Sequence, residues 1–181
     1  ASAIGGPHGS FWTLHRFMSL FGSPNNMGIG QICWNPRIWM DVLTFGWTVE
    51  ADITDETGCV VIWGTNPVVC NSDAFLGHWI VEAMKRGTKL ITIDPQLTWI
   101  GARSEMWLRL RPGTDAALAL GMMNVIINED LYDHEFVENW TYGFEALAER
   151  VQEYTPERVA EITWVPADQI VAAARLYAQA K

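Results

Sequence analysis

Cysteine, positive charge and long apolar runs are all scarce in this sequence, and each shortage excludes something. The three cysteines, Cys33, Cys59 and Cys70, form no Cys-x-x-Cys pair. That argues against a zinc site, an iron–sulfur cluster or a disulfide framework within these residues. With 12 basic against 21 acidic side chains the net charge is −9, so nothing neutralises phosphates broadly and nucleic-acid binding is disfavoured. No apolar stretch approaches the ~18–20 residues that span a bilayer, which argues against direct membrane insertion. No signal-peptide pattern is visible either. The GxGxxG fingerprint of dinucleotide binding is absent too. What is there is the composition of a packed protein, 49% hydrophobic and 18% charged. At 181 residues it has room for one substantial core and an appended segment. The chain begins Ala-Ser and stops inside an unfinished helical pattern, so it reads as a piece of a larger protein. Ten tryptophans are many for this length, and Trp12, Trp34 and Trp39 are expected to face segments outside it.

The pattern along the chain is helical first and then alternating. Residues 1–9 read as loop. Ser10 is placed to cap a helix with Phe11, Leu14, Phe17, Met18 and Phe21 on one face. A Ser/Pro/Asn/Gly-rich loop runs from Ser23 to Gln31, Cys33 follows it, and a second helix is expected between Pro36 and Phe45. From Cys59 the rhythm becomes strand, helix, strand. Val60–Trp63 is an unbroken apolar run of the kind covered on both faces. Gly64 then lets the chain turn, Asn66-Pro67 is turn chemistry, and Asn71, Ser72 and Asp73 offer helix caps. A helix from about Phe75 to Arg86 should close at Gly87. Strands are expected at 89–93 and 106–110, followed by a helix from Asp115 to about Asn128 that is capped by Thr114 and apolar nearly all round. Short helices around 133–140 and 144–152 and a last one from near Pro166 complete the expectation. The fold class is α/β, a mostly parallel sheet with flanking helices in a variant of the dinucleotide-binding fold. Residues 1–50 read as a helical and loop segment and 51–181 as the α/β domain.

In such a sheet the carboxyl ends of parallel strands line one rim, and ligands bind there. The turns 64–73, 94–98 and 111–115 all leave strand carboxyl ends. Gly64 and the amides after it allow close approach of a phosphate or a planar group. Asp94 is placed to accept a ribose hydroxyl, although it lies later than the ~20 residues usual for that role. Asp115 offers a carboxylate to the paired N–H groups of a guanine edge. On residue chemistry alone, a nucleotide-like ligand and a set of plain turns both account for these positions. On residue type alone, a lone Cys33 between Ile32 and Trp34 reads as a packing residue. His78, on the charged face of its helix, reads as solvated, and His134 as the opening of a short helix. Cys59 and Cys70 read as packing.

The stretches VVIWGTNP, ITIDPQLT and WLRLRPGTDAALALGMMNVIINEDLYD resemble the molybdopterin oxidoreductases of the dimethyl sulfoxide reductase family. The likeness runs from roughly Phe21 to Lys181. It implies that the loop after the first strand packs against a molybdopterin guanine dinucleotide rather than NAD, so no GxGxxG is required. The resemblance implies cofactor contacts from Trp63, Gly64, Thr65, Asn66 and Pro67, from Asp94, Pro95, Gln96 and Thr98, and from Gly113, Thr114 and Asp115. Gln96 stands where the family pattern D-P-R-x-T has arginine. Cys33 falls where relatives place the cysteine, selenocysteine or serine that ligates the metal, and a thiolate suits a centre already surrounded by dithiolene sulfurs. Trp34 stands where formate dehydrogenases place a histidine, and an indole takes no proton at neutral pH, so formate is disfavoured.

The resemblance thus implies part of a catalytic subunit with molybdenum or tungsten on a bis-molybdopterin guanine dinucleotide, catalysing two-electron oxygen-atom, sulfur-atom or hydride-equivalent transfer on a small substrate. A [4Fe–4S] cluster is expected in the full-length protein outside these residues. Expected partners are the remaining domains of the same chain and an iron–sulfur electron-transfer subunit. The alternatives are a hydratase or transhydroxylase branch without net redox change and a nucleotide-dependent Rossmann-type enzyme.

Overall fold

A computed structural model describes residues 8–24, 34–48, 52–69 and 76–180. The chain divides into two compact units, Ala1–Asp52 and Ile53–Lys181. The first carries two helices, α1 (His8–Phe21) and α2 (Trp34–Phe45). Helix α1 starts two residues earlier than Ser10, which therefore sits inside the first turn rather than at its cap. Helix α2 accommodates Pro36 in its first turn, where the missing N–H has no intrahelical partner to lose. Phe17, Leu20 and Phe21 of α1 and Trp39, Met40 and Leu43 of α2 are all exposed.

The second unit is built on three parallel strands in the order β1 (Cys59–Trp63), β2 (Lys89–Ile93) and β3 (Met106–Leu108). Cys59 pairs with Lys89 and Trp63 with Ile93, while Ile91 pairs with Met106 and Ile93 with Leu108. Helix α3 (Leu76–Arg86) makes the β1-to-β2 crossover. The third strand ends two residues short of expectation for a visible reason. The Leu110 N–H turns back to the Leu108 carbonyl, and the Arg111 N–H leaves the sheet for the carbonyl of Thr163 at 2.7 Å.

After β3 come α4 (Asp115–Asn128), α5 (His134–Trp140), α6 (Phe144–Val151), α7 (Pro156–Thr163) and α8 (Ala167–Ala178). Strand alternation divides the apolar residues into two layers, as the period of two demands. Ile91, Ile93 and Leu108 face Leu118, Met122 and Val125 of α4, Val159 of α7 and Ile170, Ala173 and Ala174 of α8. On the opposite face Ile62 and Leu90 meet Ile80 of α3 and Ile100. The sheet is therefore covered on both sides, as parallel sheets require. Helix α4 is less enclosed than its composition suggested. Met123 and Ile126 line an open apolar groove beside Val61, Trp63 and Tyr177.

Helix α7 is not among the expected elements, yet its start carries clear signals. The Thr155 hydroxyl accepts from the N–H of Arg158, and Pro156 occupies the first helical turn. Cap and proline together are a helix-start signature. No described helix is long and apolar enough to cross a membrane.

Candidate functional site at the carboxyl rim of the sheet

The three strands deliver their following turns to one edge. Gly64 donates its N–H to the Ile93 carbonyl at 2.9 Å, and Asp94 donates to the Leu108 carbonyl at 3.2 Å. The first turn is therefore tied to the second strand, and the second turn to the third. Gly64 has a φ of +62°, and a Cβ placed on it meets no atom within 4 Å. An L side chain would be strained there, and the open space is available to a ligand. The rest of the loop is held from behind. Pro67 is buried, the Val69 N–H closes a turn onto the Asn66 carbonyl, and α3 comes so close that a Cβ on Gly77 would lie 2.7 Å from the Pro67 carbonyl oxygen. Within this rigid loop the Asn66 side-chain Oδ1 is buried and accepts no hydrogen bond. Buried acceptors are almost always satisfied, so this orphan is a candidate partner for an outside donor.

The second turn is shaped by its own side chains. Asp94 Oδ1 accepts the Gln96 N–H at 2.7 Å, and the Asp94 carbonyl accepts the Trp107 indole N–H at 2.9 Å. Thr98 Oγ1 accepts the N–H of Gly101, the first residue of a short 3-10 turn, Gly101–Arg103. Pro95 and Gln96 are exposed on the rim.

At the third turn the structure corrects one expectation and adds a contact. Thr114 occupies the position before α4, but its hydroxyl donates backwards to the Arg111 carbonyl at 2.6 Å and makes no cap bond to the helix. It closes the Arg-Pro-Gly turn instead. Asp115, exposed in the first turn of α4, accepts the Trp63 indole N–H on Oδ1 at 2.8 Å. The end of the first strand and the start of the fourth helix are thereby tied across the rim, with the second carboxylate oxygen of Asp115 left for another donor. Gly64, Asp94 and Asp115 thus belong to one edge.

Cys33, Cys70, Asn71, Ser72 and Asp73 lie outside the described residues. Among the described residues no cluster of three or more His, Cys, Asp and Glu is placed to hold a metal ion. Cys59 sits half-buried in β1, where burial pushes its thiol pKa up, the opposite of what a reactive thiolate needs. His78 is exposed on α3, and His134 opens α5 with its Nε2 2.9 Å from Asp130 Oδ1. Sequence reasoning missed a second feature of the rim. Arg109, Arg111, Trp107 and Trp164 line a cavity of about 670 Å³ beside Pro95. The alternation in WLRLR, which puts residues 107, 109 and 111 in phase, was the available signal.

An open parallel sheet whose turns meet at one carboxyl rim is an α/β architecture of the kind in which ligands bind at that rim. The comparisons with known proteins make the class specific. The molybdopterin oxidoreductase family model matches residues 3–178, and the chain belongs to that family. It is 45% identical over 174 residues to acetylene hydratase of Syntrophotalea acetylenica, covering 93% of this chain and 23% of that protein. It is 35% identical over 162 residues to the thiosulfate reductase molybdopterin-containing subunit of Salmonella typhimurium, covering 90% and 21%. Formate dehydrogenase H of Escherichia coli is 40% identical over 127 residues, covering 70% and 18%. The solved structure of acetylene hydratase from Pelobacter acetylenicus superposes with a TM-score of 0.78 at 43% identity, covering 94% of this chain and 23% of that one. The chain thus spans about a quarter or less of the length of these relatives. Membership of the family implies a molybdenum or tungsten pterin cofactor.

Proposed function

We propose that this chain supplies one cofactor-binding domain of the catalytic subunit of a molybdenum or tungsten enzyme that uses a bis-molybdopterin guanine dinucleotide. The observation that carries this reading is the rim itself, with the open Gly64, the orphaned Asn66 acceptor and the carboxylate of Asp115 brought to one edge. These residues fit the group. The backbone at Gly64 admits a large planar or anionic ligand, and Asn66 Oδ1 accepts a hydrogen bond from it. Gly113 and Thr114 shape the turn beside Asp115, whose free oxygen accepts from a guanine edge. The Asp94–Pro95–Gln96 turn and Thr98 form the second wall. Cys33 supplies a thiolate ligand to the metal.

When bound, the metal centre supplies two-electron redox chemistry or Lewis acidity toward a small substrate. The protein's own part is to hold the group rigidly and to satisfy its polar edges. An iron–sulfur cluster and an iron–sulfur electron-transfer subunit belong to the redox form of this proposal. The similarity to acetylene hydratase favours a second reading, in which the enzyme hydrates its substrate without net electron transfer. Trp34 beside Cys33 agrees with either reading and disfavours formate. Metal analysis of the purified full-length protein, with acid release of its nucleotides, tests the proposal. The expected result is molybdenum or tungsten with two guanine nucleotides per metal ion, as the bis form requires. A metal-free protein that retains NAD would overturn it.

A further inference from the structure

The hairpin of α5 and α6 holds its largest side chains in solvent. Phe136 and Trp140 stand one turn apart on α5 and are 57% and 79% exposed, and Tyr142 in the turn that follows is fully exposed. The backbone that presents these rings is fixed. Asp133 Oδ1 accepts the Phe136 N–H and starts the helix. Gly143, with a φ of +80°, turns the chain into α6. The Tyr132 ring lies 4.4 Å from His134 and 4.8 Å from Phe144, tying the start of α5 to the start of α6. Rigid aromatic side chains grouped in solvent are the usual anchors of protein–protein contacts.

The charge along this segment has one sign. Residues 130–149 carry six carboxylates, Asp130, Asp133, Glu135, Glu138, Glu145 and Glu149, and no lysine or arginine. His134 faces Asp130, and among the described residues the other five make no ion pair. The neighbouring Arg150 and Arg175 are held by Glu153 and Glu129. Uncompensated carboxylates repel nucleic acid and anionic lipid alike. Around aromatic anchors they form a polar rim that complements a basic one.

Position separates this face from the cofactor site. Helix α4 begins at the rim with Asp115, and its 14 residues rise about 20 Å before the chain passes to α5. Helix α6 returns to the same distal half of α4, where Asn124 donates to the Val151 carbonyl and Gln152 to Asn128. The domains that complete the cofactor site meet this one at the rim, the other end of α4. We propose that the aromatic face of the α5–α6 hairpin is a docking surface for a separate protein chain, one that presents an apolar pocket rimmed by lysine and arginine. The argument from position rests on the function proposed above; the aromatic and charge arguments do not.

The test uses the full-length enzyme in the cells that produce it, with the photocrosslinking amino acid p-benzoylphenylalanine in place of Trp140. The expected result is one dominant adduct with a different polypeptide. That polypeptide, purified, should bind the full-length enzyme, and at least about tenfold more weakly when Trp140→Ala or Glu135→Lys with Glu138→Lys is introduced. Raising the salt from about 0.05 M to about 0.5 M should weaken it at least about tenfold as well. The substituted side chains are exposed, so the variants should keep the wild-type unfolding midpoint and turnover. Crosslinks confined to the enzyme's own chain would assign the face to its remaining domains, and adducts between identical chains would assign it to a dimer. Either result overturns the proposal, as does the absence of any adduct or an affinity indifferent to Trp140 and to salt. The crosslinking result is read without reference to the metal, so it and the proposed function fail separately.

Discussion

Asp115 shows how one side chain serves both structure and site. Its Oδ1 takes the Trp63 indole N–H, its position in the first turn favours the α4 dipole, and its remaining oxygen points the proposal toward guanine. The three cysteines separate more sharply. In the full-length enzyme, Cys33→Ala is expected to abolish turnover per folded, metal-loaded molecule, because it would remove the proposed metal ligand outright. Wild-type turnover in that variant would make Cys33 a packing residue. Cys59→Ala should cost only about 1–2 kcal/mol of stability, with turnover unchanged, as measured by denaturant unfolding and assay. At this scale the sequence was legible where residue type announces chemistry. A glycine after an apolar strand and a carboxylate after Pro-Gly-Thr are such cases. The Trp63–Asp115 bond joins residues 52 apart, a proximity that no local pattern encodes. The Thr114 hydroxyl was misread because cap and turn roles draw on the same residue types, and only the direction of its hydrogen bond distinguishes them.

Between elements, two glycines set close approaches that can be tested directly. A Cβ on Gly121 would meet Val159 Cγ2 at 2.8 Å, so Gly121→Ala forces α4 and α7 apart. An overpacking cost of about 1–3 kcal/mol is expected, read as a lower thermal midpoint. Gly77→Ala strikes backbone instead, the Pro67 carbonyl, and displaces the loop proposed to hold the cofactor. That variant should lose metal and nucleotide content by more than its loss of stability explains. A second device links α4 to α8, where Arg175 holds both carboxylate oxygens of Glu129 at 2.7 Å. The hydrogen bonds from Arg175, with its charge, hold the Glu129 pKa below the usual carboxylate value. A depressed carboxylate pKa gives stability that is present above the unfolded-state value and lost as pH falls through the folded one. Arg175→Met should therefore flatten the acid limb of the stability–pH curve while leaving its shape near neutrality unchanged. The order and parallel pairing of the strands were legible because apolar runs and crossover length determine them together. The early end of β3 was not, since it depends on a tertiary bond from Arg111 to Thr163. Helix α7 is locally legible in its Thr-Pro start, but its eight residues are too few for a clear periodic stretch.

Across the whole molecule, the chain spans about a quarter of relatives such as acetylene hydratase, and it exposes apolar surface to match. Trp39 is 65% exposed, and the side chains of Trp12 and Trp34, grouped with it from the sequence, lie outside the described residues. The groove of Val61, Trp63, Met122, Met123, Ile126 and Tyr177 lies open beside the edge strand β1. Such patches ordinarily mark interaction surfaces. The isolated 181-residue chain should accordingly bind an apolar dye and retain no stoichiometric metal, whereas the full-length enzyme should do the reverse. Stoichiometric metal in the isolated chain would show that one domain suffices to hold the cofactor. The central claim is that the carboxyl rim grips a guanine nucleotide through Asp115. Guanine nucleotide released by acid from full-length Asp115→Ala, per correctly folded molecule, tests it most directly. The account predicts that the nucleotide bound in this domain is lost while the unfolding free energy falls by only about 1 kcal/mol, the worth of the Trp63 hydrogen bond. Nucleotide content equal to that of the wild type would contradict it.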